Sequence, residues 1–416
     1  MKKKIKAVLT NIAKENLVFR KIFRGSLYLY RHIRYKFRGI GKKTDEKMVF
    51  FSSFNGKYYT DSPKAIYLYM KNNPEFKNYK FIWAFSKPEE HKELEDENTI
   101  IVKQGSKKYE QYLLTAKYWV TNHRVYDHIY PSKKQVYVQC WHGTPLKRLG
   151  CDLKSTDNAL NTLKEMKNKY LLEAKKLNYM VSPSKFTSEK LTSAFDLKKV
   201  HKENNVIEQG YPRNDFLYNY TEDDVIKIKE KFGIDKINKK VILYAPTWRD
   251  NQHQTGLGYT YKTEVDFDKL QKELQSEYII LFRAHYFVSN SFDFEKYKGF
   301  IYNVSDIDDV NETYIVSDIL ITDYSSVFFD YANLKRPMLF YMYDFEQYKD
   351  EMRGFYIDLE ELPGDITKTE DELIKAIKNT KNFEYNEKYK KFNEKFNYLD
   401  DGQAAKRTVK KFINNL

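Results

Sequence analysis

Short apolar runs alternate with amphipathic stretches over the first part of the chain. Runs rich in Val, Ile, Phe and Tyr predict strands at residues 48–53, 79–85, 99–102, 117–121 and 135–140. The spacing of apolar residues between them predicts helices over 62–71 and near 109–116. This order of strand, helix and strand is typical of an α/β unit with a parallel sheet.

The first series ends with three more elements. Residues 158–177 are lysine-rich with helical spacing, residues 179–182 predict a strand, and Ser184 can cap the helix after it. A second series with the same alternation follows, with strands predicted at 206–209, 241–245, 278–284, 300–304, 319–322 and 338–341 and helices between them. We therefore expect an α/β fold with two parallel-sheet units and a ligand cleft at the carboxyl ends of the strands.

The polar stretch at 196–205 separates the two series. The predicted organisation is a basic arm at residues 1–45, an N-terminal α/β domain at 46–198, a C-terminal α/β domain at 199–395, and a terminal helix at 396–416 that packs back across the domains. The composition supports a folded chain, because 41% of the 416 residues are hydrophobic and 31% are charged. Two cysteines exclude a disulfide framework, and the longest apolar runs have only the length of a strand, so no membrane-spanning segment is expected.

The net charge of +14 is concentrated in the arm, where residues 2–43 contain 14 Lys or Arg and one acidic residue. Apolar residues recur there at steps of three and four, which predicts amphipathic helices with a cationic face. The arm therefore favours peripheral docking of residues 1–43 on an anionic membrane surface. A helix packed on the body with a solvated basic face is the alternative. Nucleic acid is not an expected partner, because the body has no excess positive charge and no reader motif.

Polar clusters follow several of the predicted strands. His142 comes after the strand at 135–140, with Gly143 allowing close backbone approach and Thr144 offering a hydroxyl. This placement suits an imidazole that projects into a cleft, although a lone histidine is more often structural. Arg283 and His285 are two residues apart at a strand end, so both can face one anion. An arginine that covers a domain edge is the alternative there.

Two further clusters suit a phosphorylated ligand. Thr247 and Arg249 follow the strand at 241–245, although Pro246 between that strand and Thr247 is also ordinary turn chemistry. Ser325 and Ser326 lie at the expected start of a helix, where free amides and hydroxyls can bind a diphosphate or simply cap the helix. Asp330, about one turn further on, can accept a hydrogen bond from a ribose hydroxyl or be a solvated carboxylate.

No metal site is expected from the sequence. The Asp-x-Asp spacing at residues 306–309 is common by chance and lies in a polar loop. His123 and His128 have no cysteine or carboxylate at ligand spacing. Glycine-rich nucleotide motifs are also missing from the sequence, which disfavours nicotinamide and ATP chemistry.

Six blocks, taken in order, resemble the CDP-glycerol glycerophosphotransferase family of teichoic-acid biosynthesis. They are residues 141–147 (WHGTPLK), 182–186 (SPSKF), 210–215 (GYPRND), 245–249 (APTWR), 283–285 (RAH), and 322–326 (TDYSS) with Asp330. Each block alone is modestly specific, but six in this order over roughly residues 48–390 are highly specific. The basic arm lies outside the resemblance.

The resemblance implies a GT-B-like pair of domains, with the acceptor on the N-terminal domain and the CDP-alditol on the C-terminal one. It implies transfer of glycerol phosphate or ribitol phosphate from CDP-glycerol or CDP-ribitol to a polyprenyl-linked saccharide or growing polymer, at the cytoplasmic face of the membrane. It also implies that neither a cofactor nor a metal is required. His142 would be the general base, and His285 would neutralise the charge on the departing CMP. The substrate-binding residues carried over by motif are His142, Gly143, Thr144, Pro145, Leu146, Arg213, Pro246, Thr247, Arg249, Arg283, Ala284, His285, Ser325, Ser326 and Asp330.

Two other classes of function fit the same patterns. One is a nucleotide-sugar glycosyltransferase or epimerase of the same architecture. The other is a non-catalytic scaffold at the membrane surface. The sequence does not separate glycerol from ribitol, or a primase from a polymerase.

Overall fold

The computed structural model describes residues 16–155, 161–247, 253–254, 258–259, 265–284, 292–346 and 354–413. Its main feature is a pair of parallel sheets, one in each half of the chain. The first sheet has the strand order β3-β2-β1-β4-β5-β6-β7 and the second has the order β12-β11-β8-β13-β14-β15. We call the first sheet with its helices the front unit, and the second sheet with its helices the back unit.

The strands of the front unit are β1 (Asp45–Ser52), β2 (Lys80–Phe85), β3 (Thr99–Lys103), β4 (Ala116–Thr121), β5 (Val136–Gln139), β6 (Tyr179–Ser182) and β7 (Val206–Glu208). Those of the back unit are β8 (Lys240–Ala245), β11 (Tyr278–Phe282), β12 (Ile301–Asn303), β13 (Ile319–Thr322), β14 (Met338–Tyr341) and β15 (Asp365–Thr367). A short antiparallel pair, β9 (His253–Gln254) and β10 (Gly258–Tyr259), is separate from both sheets.

The helices of the front unit are α1 (Leu17–Gly39), α2 (Asp61–Asn72), α3 (Lys107–Thr115), α4 (Leu163–Lys176) and α5 (Lys185–Ala194). Those that follow are α6 (Phe216–Asn219), α7 (Glu222–Lys231), α8 (Phe267–Leu274), α9 (Val310–Val316), α10 (Val327–Tyr331), α11 (Glu370–Asn379), α12 (Glu387–Phe396) and α13 (Ala404–Ile413). Within the described residues, no helix is long and apolar enough to cross a membrane.

Both sheets are covered on two faces, which explains their continuous apolar strands. Consecutive residues Phe50 and Phe51 of β1 belong to the cores on opposite faces of the front sheet. Ile242 and Leu243 of β8 do the same in the back sheet. A strand buried on both faces needs apolar residues at every position rather than at alternate ones. This is why the strands could be recognised as uninterrupted apolar runs.

The chain passes between the units twice, and the two passages contact each other. The first passage lies at residues 210–215 and the second at residues 399–404. Asp400 accepts hydrogen bonds from Tyr211 N (2.8 Å) and from Asn214 Nδ2 (2.7 Å). Asp215 accepts from the amides that open α13, each at 2.8 Å. The last helix, α13, therefore returns to the front unit, where Phe412 joins the core.

The predicted fold class is confirmed, and the strands lie close to their expected positions. One assignment was wrong, because the strand predicted at 206–209 does not begin the back sheet. It is β7, which pairs in parallel with β6 at the edge of the front sheet. The polar stretch before it forms two short 3-10 turns that carry the chain to this edge. The edge strand β15 was not predicted, because it has three residues and two are exposed.

Asp400 gives the fold a specific pH dependence. Burial between the two passages raises its pKa to about 7. The amide groups that donate hydrogen bonds to it favour the ionised carboxylate and oppose this rise. A folded-state pKa above the unfolded one means that its contribution to stability is complete below about pH 4 and is lost as the pH rises through about 7. We expect the free energy of unfolding of wild type, relative to Asp400→Asn, to fall over this range. Parallel curves for the two proteins in urea titrations at several pH values would contradict this expectation.

Candidate active site

His142 lies just after β5, at the end of the front sheet that faces the back unit. Its Nδ1 is 2.8 Å from the carbonyl oxygen of Asn122, which follows β4. A carbonyl oxygen only accepts, so Nδ1 carries the proton and donates it. The neutral ring then has a free lone pair on Nε2. The ring of buried Trp141 contacts it at a tilt of 31°, with centroids 4.1 Å apart.

The surroundings of His142 keep its ring neutral at pH 7. Its side chain reaches the solvent of the cleft, but the protein around it lowers the pKa by limiting hydration of the imidazolium. The bond to Asn122 and the carboxylate of Asp61 oppose this shift, and the positive charge of Arg213 adds to it. A neutral imidazole at this position can accept a proton, which is the property that a general base needs.

Gly143 is the point where the two units come closest around His142. Its φ of 147° lies in a region that favours glycine. A Cβ at this position would lie 3.5 Å from Ser326 Oγ and 3.7 Å from Arg213 Nη2. Leu146, further along, packs into a core of the back unit, and its carbonyl accepts from Tyr356 N at 2.8 Å. Residues 143–146 are therefore buried where the units meet, and the exposed His142 borders the gap between the units.

The remaining predicted residues of this segment are buried. Thr144 accepts a hydrogen bond from Thr187 Oγ1 of α5 at 3.4 Å, and Pro145 is buried beside it. The Thr144 hydroxyl thus supports this segment from the side of the front unit.

Arg213 and Asp330 are next to His142 but bind each other. The Arg213 Nε and Nη2 groups both donate to the carboxylate of Asp330. The Nη1 group donates to Asp61 Oδ2 at 2.9 Å and to the carbonyl oxygen of His142 at 2.7 Å. Asp61 was not among the residues expected from sequence. The only signal was its place at the start of α2, where an acidic residue also serves as ordinary helix chemistry.

The back unit contributes a wall that Asp323 organises. Its Oδ1 accepts from Thr247 N at 2.8 Å, from Thr247 Oγ1 at 2.5 Å and from Tyr324 N at 2.6 Å. These bonds join the segments after β8 and β13, where Pro246 and Thr247 are half-buried. Asp323 was also missed as a site residue, because its partner Thr247 is distant in sequence.

Ser325 and Ser326 stand at this wall, immediately before α10. Both are half-buried, and the Ser326 side chain does not cap the helix. Capping, the simple alternative for these serines, therefore does not explain Ser326. Its hydroxyl is placed beside Gly143, across the gap from the front unit.

Arg283 lies beyond this wall and is engaged with the backbone. Its Nη1 group donates to the carbonyl oxygens of Val304 (2.9 Å) and Ile307 (2.8 Å). Ala284 N donates to Ser305 Oγ at 3.2 Å. Arg249 and His285, the other two cationic candidates, lie outside the described residues. The anion clamp of Arg283 with His285 stays a prediction.

The acidic loop at 306–309 joins the two units. Asp308 Oδ2 accepts from Tyr59 N at 3.1 Å, and Asp309 Oδ2 pairs with Lys64 Nζ at 2.7 Å. Asp309 Oδ1 also caps α9 by accepting from Asn311 N. Over the part of the chain that the structure describes, no group of three or more His, Cys, Asp or Glu is arranged to hold a metal ion.

Comparison with known protein families identifies the family of the chain. Residues 34–414 match the model of the CDP-Glycerol:Poly(glycerophosphate) glycerophosphotransferase family. The chain belongs to this family, as the six motifs indicated, and is a transferase. The match covers both units and the final helix.

The chain is similar to curated proteins from several bacteria. It is 42% identical over 372 residues to a teichoic acid poly(glycerol phosphate) polymerase of Bacillus spizizenii, covering 89% of this chain and 92% of that protein. It is 37% identical over 377 residues to a teichoic acid glycerol-phosphate transferase of Staphylococcus aureus, covering 89% and 94%. A Bacillus subtilis polymerase is 43% identical, over 87% of this chain, which spans about half (48%) of that longer protein.

Among solved structures, the wall teichoic acid polymerase TagF superposes with a TM-score of 0.83 at 36% identity, over 95% of this chain and 97% of that one. A histidine-to-asparagine variant of TagF soaked with CDPG superposes equally well. A UDP-GlcNAc 2-epimerase from Neisseria meningitidis shares the fold alone, with a TM-score of 0.53 at 13% identity.

Ser326 and Ser184 offer a matched test of whether a serine at a helix start serves the fold or the ligand. Ser184 caps α5 by accepting from Thr187 N, whereas Ser326 caps nothing. We expect Ser184→Ala to lower the free energy of unfolding by about 1 kcal/mol or more. We expect Ser326→Ala to leave it nearly unchanged and to raise the KM for CDP-glycerol about tenfold, as loss of a hydrogen bond to a charged group does.

Urea unfolding and steady-state CMP release measure the two effects. A Ser326→Ala variant that is destabilised as much as Ser184→Ala, with an unchanged KM, would show that Ser326 serves the fold.

Proposed function

We propose that the protein transfers glycerol phosphate from CDP-glycerol to a hydroxyl of a membrane lipid-linked acceptor, with release of CMP. The glycerol-phosphate polymerases and the glycerol-phosphate transferase match 87–93% of the chain and a glycerol-phosphate primase matches 68%, whereas the ribitol-phosphate polymerases match 50–51% of it. This difference favours glycerol over ribitol as the alditol. The observation that carries the proposal is the exposed, neutral imidazole of His142, whose neighbour Gly143 lies close to Ser326 of the back unit.

The transfer is one displacement at phosphorus. The acceptor hydroxyl gives its proton to Nε2 of His142 as its oxygen attacks the β-phosphorus. The bond from that phosphorus to the bridging oxygen breaks, and CMP leaves with the electron pair. A positioned base of this kind contributes roughly 10² to 10⁴ in rate. The hydrogen bond from the Nδ1 proton to the carbonyl oxygen of Asn122 stabilises the imidazolium that forms.

Charge on the departing CMP is met from the back unit. Ser325, Ser326 and Thr247 offer hydroxyls, and we assign Arg249 and His285 to the diphosphate by motif. Donors fixed in advance at such a wall stabilise developing charge without reorganisation. The proposal includes no metal or other cofactor. The engagement of Asp308 and Asp309 with Tyr59 and Lys64 supports this, because it occupies the acidic spacing most suited to a cation.

The orientation of helix α1 supports the proposal of a membrane-bound acceptor, because part of its polar surface packs on the body. Arg34 and Arg38 pair with the buried Glu110 of α3, and Tyr35 is buried between the helices. The apolar residues point outward instead. Those most exposed are Val18 (66%), Ile22 (64%), Leu29 (55%), Tyr30 (62%), Ile33 (44%), Phe37 (68%) and Ile40 (73%).

These outward residues recur at intervals of three, four and seven residues, which places them along one face of the helix. Lys21, Arg31 and Lys36 are exposed on the same helix. An apolar stripe flanked by cations suits the interface of an anionic leaflet. We therefore place the protein peripherally at the cytoplasmic face, docked through α1 and the rest of residues 1–43.

The donor and the base are tested together. Purified protein is given CDP-glycerol, CDP-ribitol and UDP-sugars with a synthetic lipid-linked disaccharide. We expect CMP release from CDP-glycerol. For His142→Ala we expect kcat to fall by roughly 10² to 10⁴ while calorimetric binding of CDP-glycerol is retained. His201→Asn, an exposed histidine with φ of 56° where asparagine is tolerated, is the control.

Near-normal turnover by His142→Ala would refute its role as the base. Release of UDP from UDP-sugars without turnover of CDP-glycerol would support the nucleotide-sugar alternative. Binding of vesicles without turnover of any donor would support the scaffold. The length of the product separates addition of one unit from addition of many.

The exposed stripe of α1 can be tested without changing charge. We expect the double variant Ile33→Gln, Phe37→Gln to bind anionic vesicles at least about tenfold more weakly in cosedimentation, because less apolar area is buried. Ile226→Gln changes a residue that is 54% exposed on α7 and is the matched control. Equal vesicle binding by wild type and the double variant would contradict docking through α1.

A further inference from the structure

A buried ion-pair group joins the two units next to His142. Arg213 comes from the first passage between the units, Asp61 opens α2 in the front unit, and Asp330 lies on α10 in the back unit. The side chains of Arg213, Asp61 and Asp330 are 10%, 4% and 2% exposed. We call these three residues the Arg213 clamp.

The hydrogen bonds within the clamp leave Arg213 little capacity for a ligand. A guanidinium has five N–H donors. Four are engaged, two with Asp330, one with Asp61 and one with the carbonyl oxygen of His142. A two-pronged grip on a phosphate would need two free donors on one edge.

Asp61 is held in an unfavourable backbone conformation to serve this contact. Its φ is 67°, in the left-handed region that few non-glycine residues adopt. Its Oδ1 accepts from the amide of Ser62 at 2.6 Å, which leaves Oδ2 directed at Arg213 Nη1 at 2.9 Å. Strain of this kind persists only where the surroundings enforce it, and it is concentrated at functional sites.

The same nitrogen, Arg213 Nη1, contacts both Asp61 and the His142 peptide. His142 is therefore fixed twice, at its carbonyl by Arg213 (2.7 Å) and at its ring by Asn122 (2.8 Å). Without Asp61, Nη1 would lose the partner that orients it toward the peptide. A small displacement of a base can cost about 100-fold in rate.

We propose that Asp61 is a positioning residue for the transfer, acting through Arg213 to hold the His142 peptide in register with the back unit. The role in transfer rests on the proposed function above. The positioning of the imidazole does not, because it concerns the free protein.

Three charged or titratable groups surround the His142 ring. Asp61 raises its pKa and Arg213 lowers it. His123 is buried beside it and stays neutral, since burial lowers its pKa to about 3. Replacement of Asp61 by asparagine removes the group that favours the imidazolium. The pKa of His142 then falls, and the acidic limb of the kcat profile moves to lower pH.

The test uses Asp61→Asn in the full chain, with Arg213→Lys as a second variant that keeps the charge but cannot bridge. We expect kcat for CMP release to fall about 100-fold in both, while KM for CDP-glycerol in Asp61→Asn stays within about twofold of wild type. We expect the acidic limb to move to lower pH in Asp61→Asn. Glu110→Gln is the matched control, because Glu110 is another buried carboxylate between arginines, on the contact of α1 with α3. Glu110→Gln should leave the acidic limb of the kcat profile at its wild-type pH.

NMR of histidine-labelled protein measures the pKa of His142 directly, with His142→Gln for assignment. A lowered pKa in Asp61→Asn, but not in Glu110→Gln, supports the clamp even if wild type releases no CMP from CDP-glycerol, in which case only the proposed function fails. An unchanged His142 pKa in Asp61→Asn would overturn the inference. An unchanged kcat in Asp61→Asn of an enzyme that releases CMP from CDP-glycerol would overturn it too, by showing that the imidazole stays in place without Asp61.

Discussion

The buried contact of Arg213 with Asp61 and Asp330 is the constraint on which the site depends. It brings the start of α2, the segment after β5 and the helix α10 to one point, although they belong to different units. A buried ion pair adds little net stability compared with apolar packing, but breaking one side of it costs about 3 to 5 kcal/mol. Its effect is therefore geometric, because it favours one arrangement of the two units over others. Asp400 and Asp215 likewise fix the geometry where the chain passes between the two units.

Most of the fold could be predicted from the sequence, for a simple physical reason. Strands buried on both faces need unbroken apolar runs, and such runs are visible without knowledge of their neighbours. Membership of a sheet is less visible. The strand at 206–208 was found, but its place beside β6 depends on the path of two short turns through a polar stretch. The family motifs supplied what periodicity could not, since they named the loops that meet in the gap.

The site was predictable in part. His142, Thr247 and Ser326 lie at strand ends or helix starts, where sequence patterns point to them. Asp61 and Asp323 were missed because their carboxylates act on backbone and side-chain groups distant in sequence. The arm shows the same limit. Its amphipathic spacing was evident, but only the structure shows that Arg34 and Arg38 face the body while many apolar residues face outward.

The position of the bound donor relative to His142 tests the account most directly. The quantity to measure is the distance from His142 Nε2 to the β-phosphorus in a structure of the protein with CDP-glycerol. An acceptor oxygen that bonds to the imidazole and attacks phosphorus requires a separation of about 5 to 6 Å. We expect that separation, with the diphosphate beside Ser325 and Ser326. A β-phosphorus too far from Nε2 for one acceptor hydroxyl to lie between them, or facing away from the gap, would contradict the account.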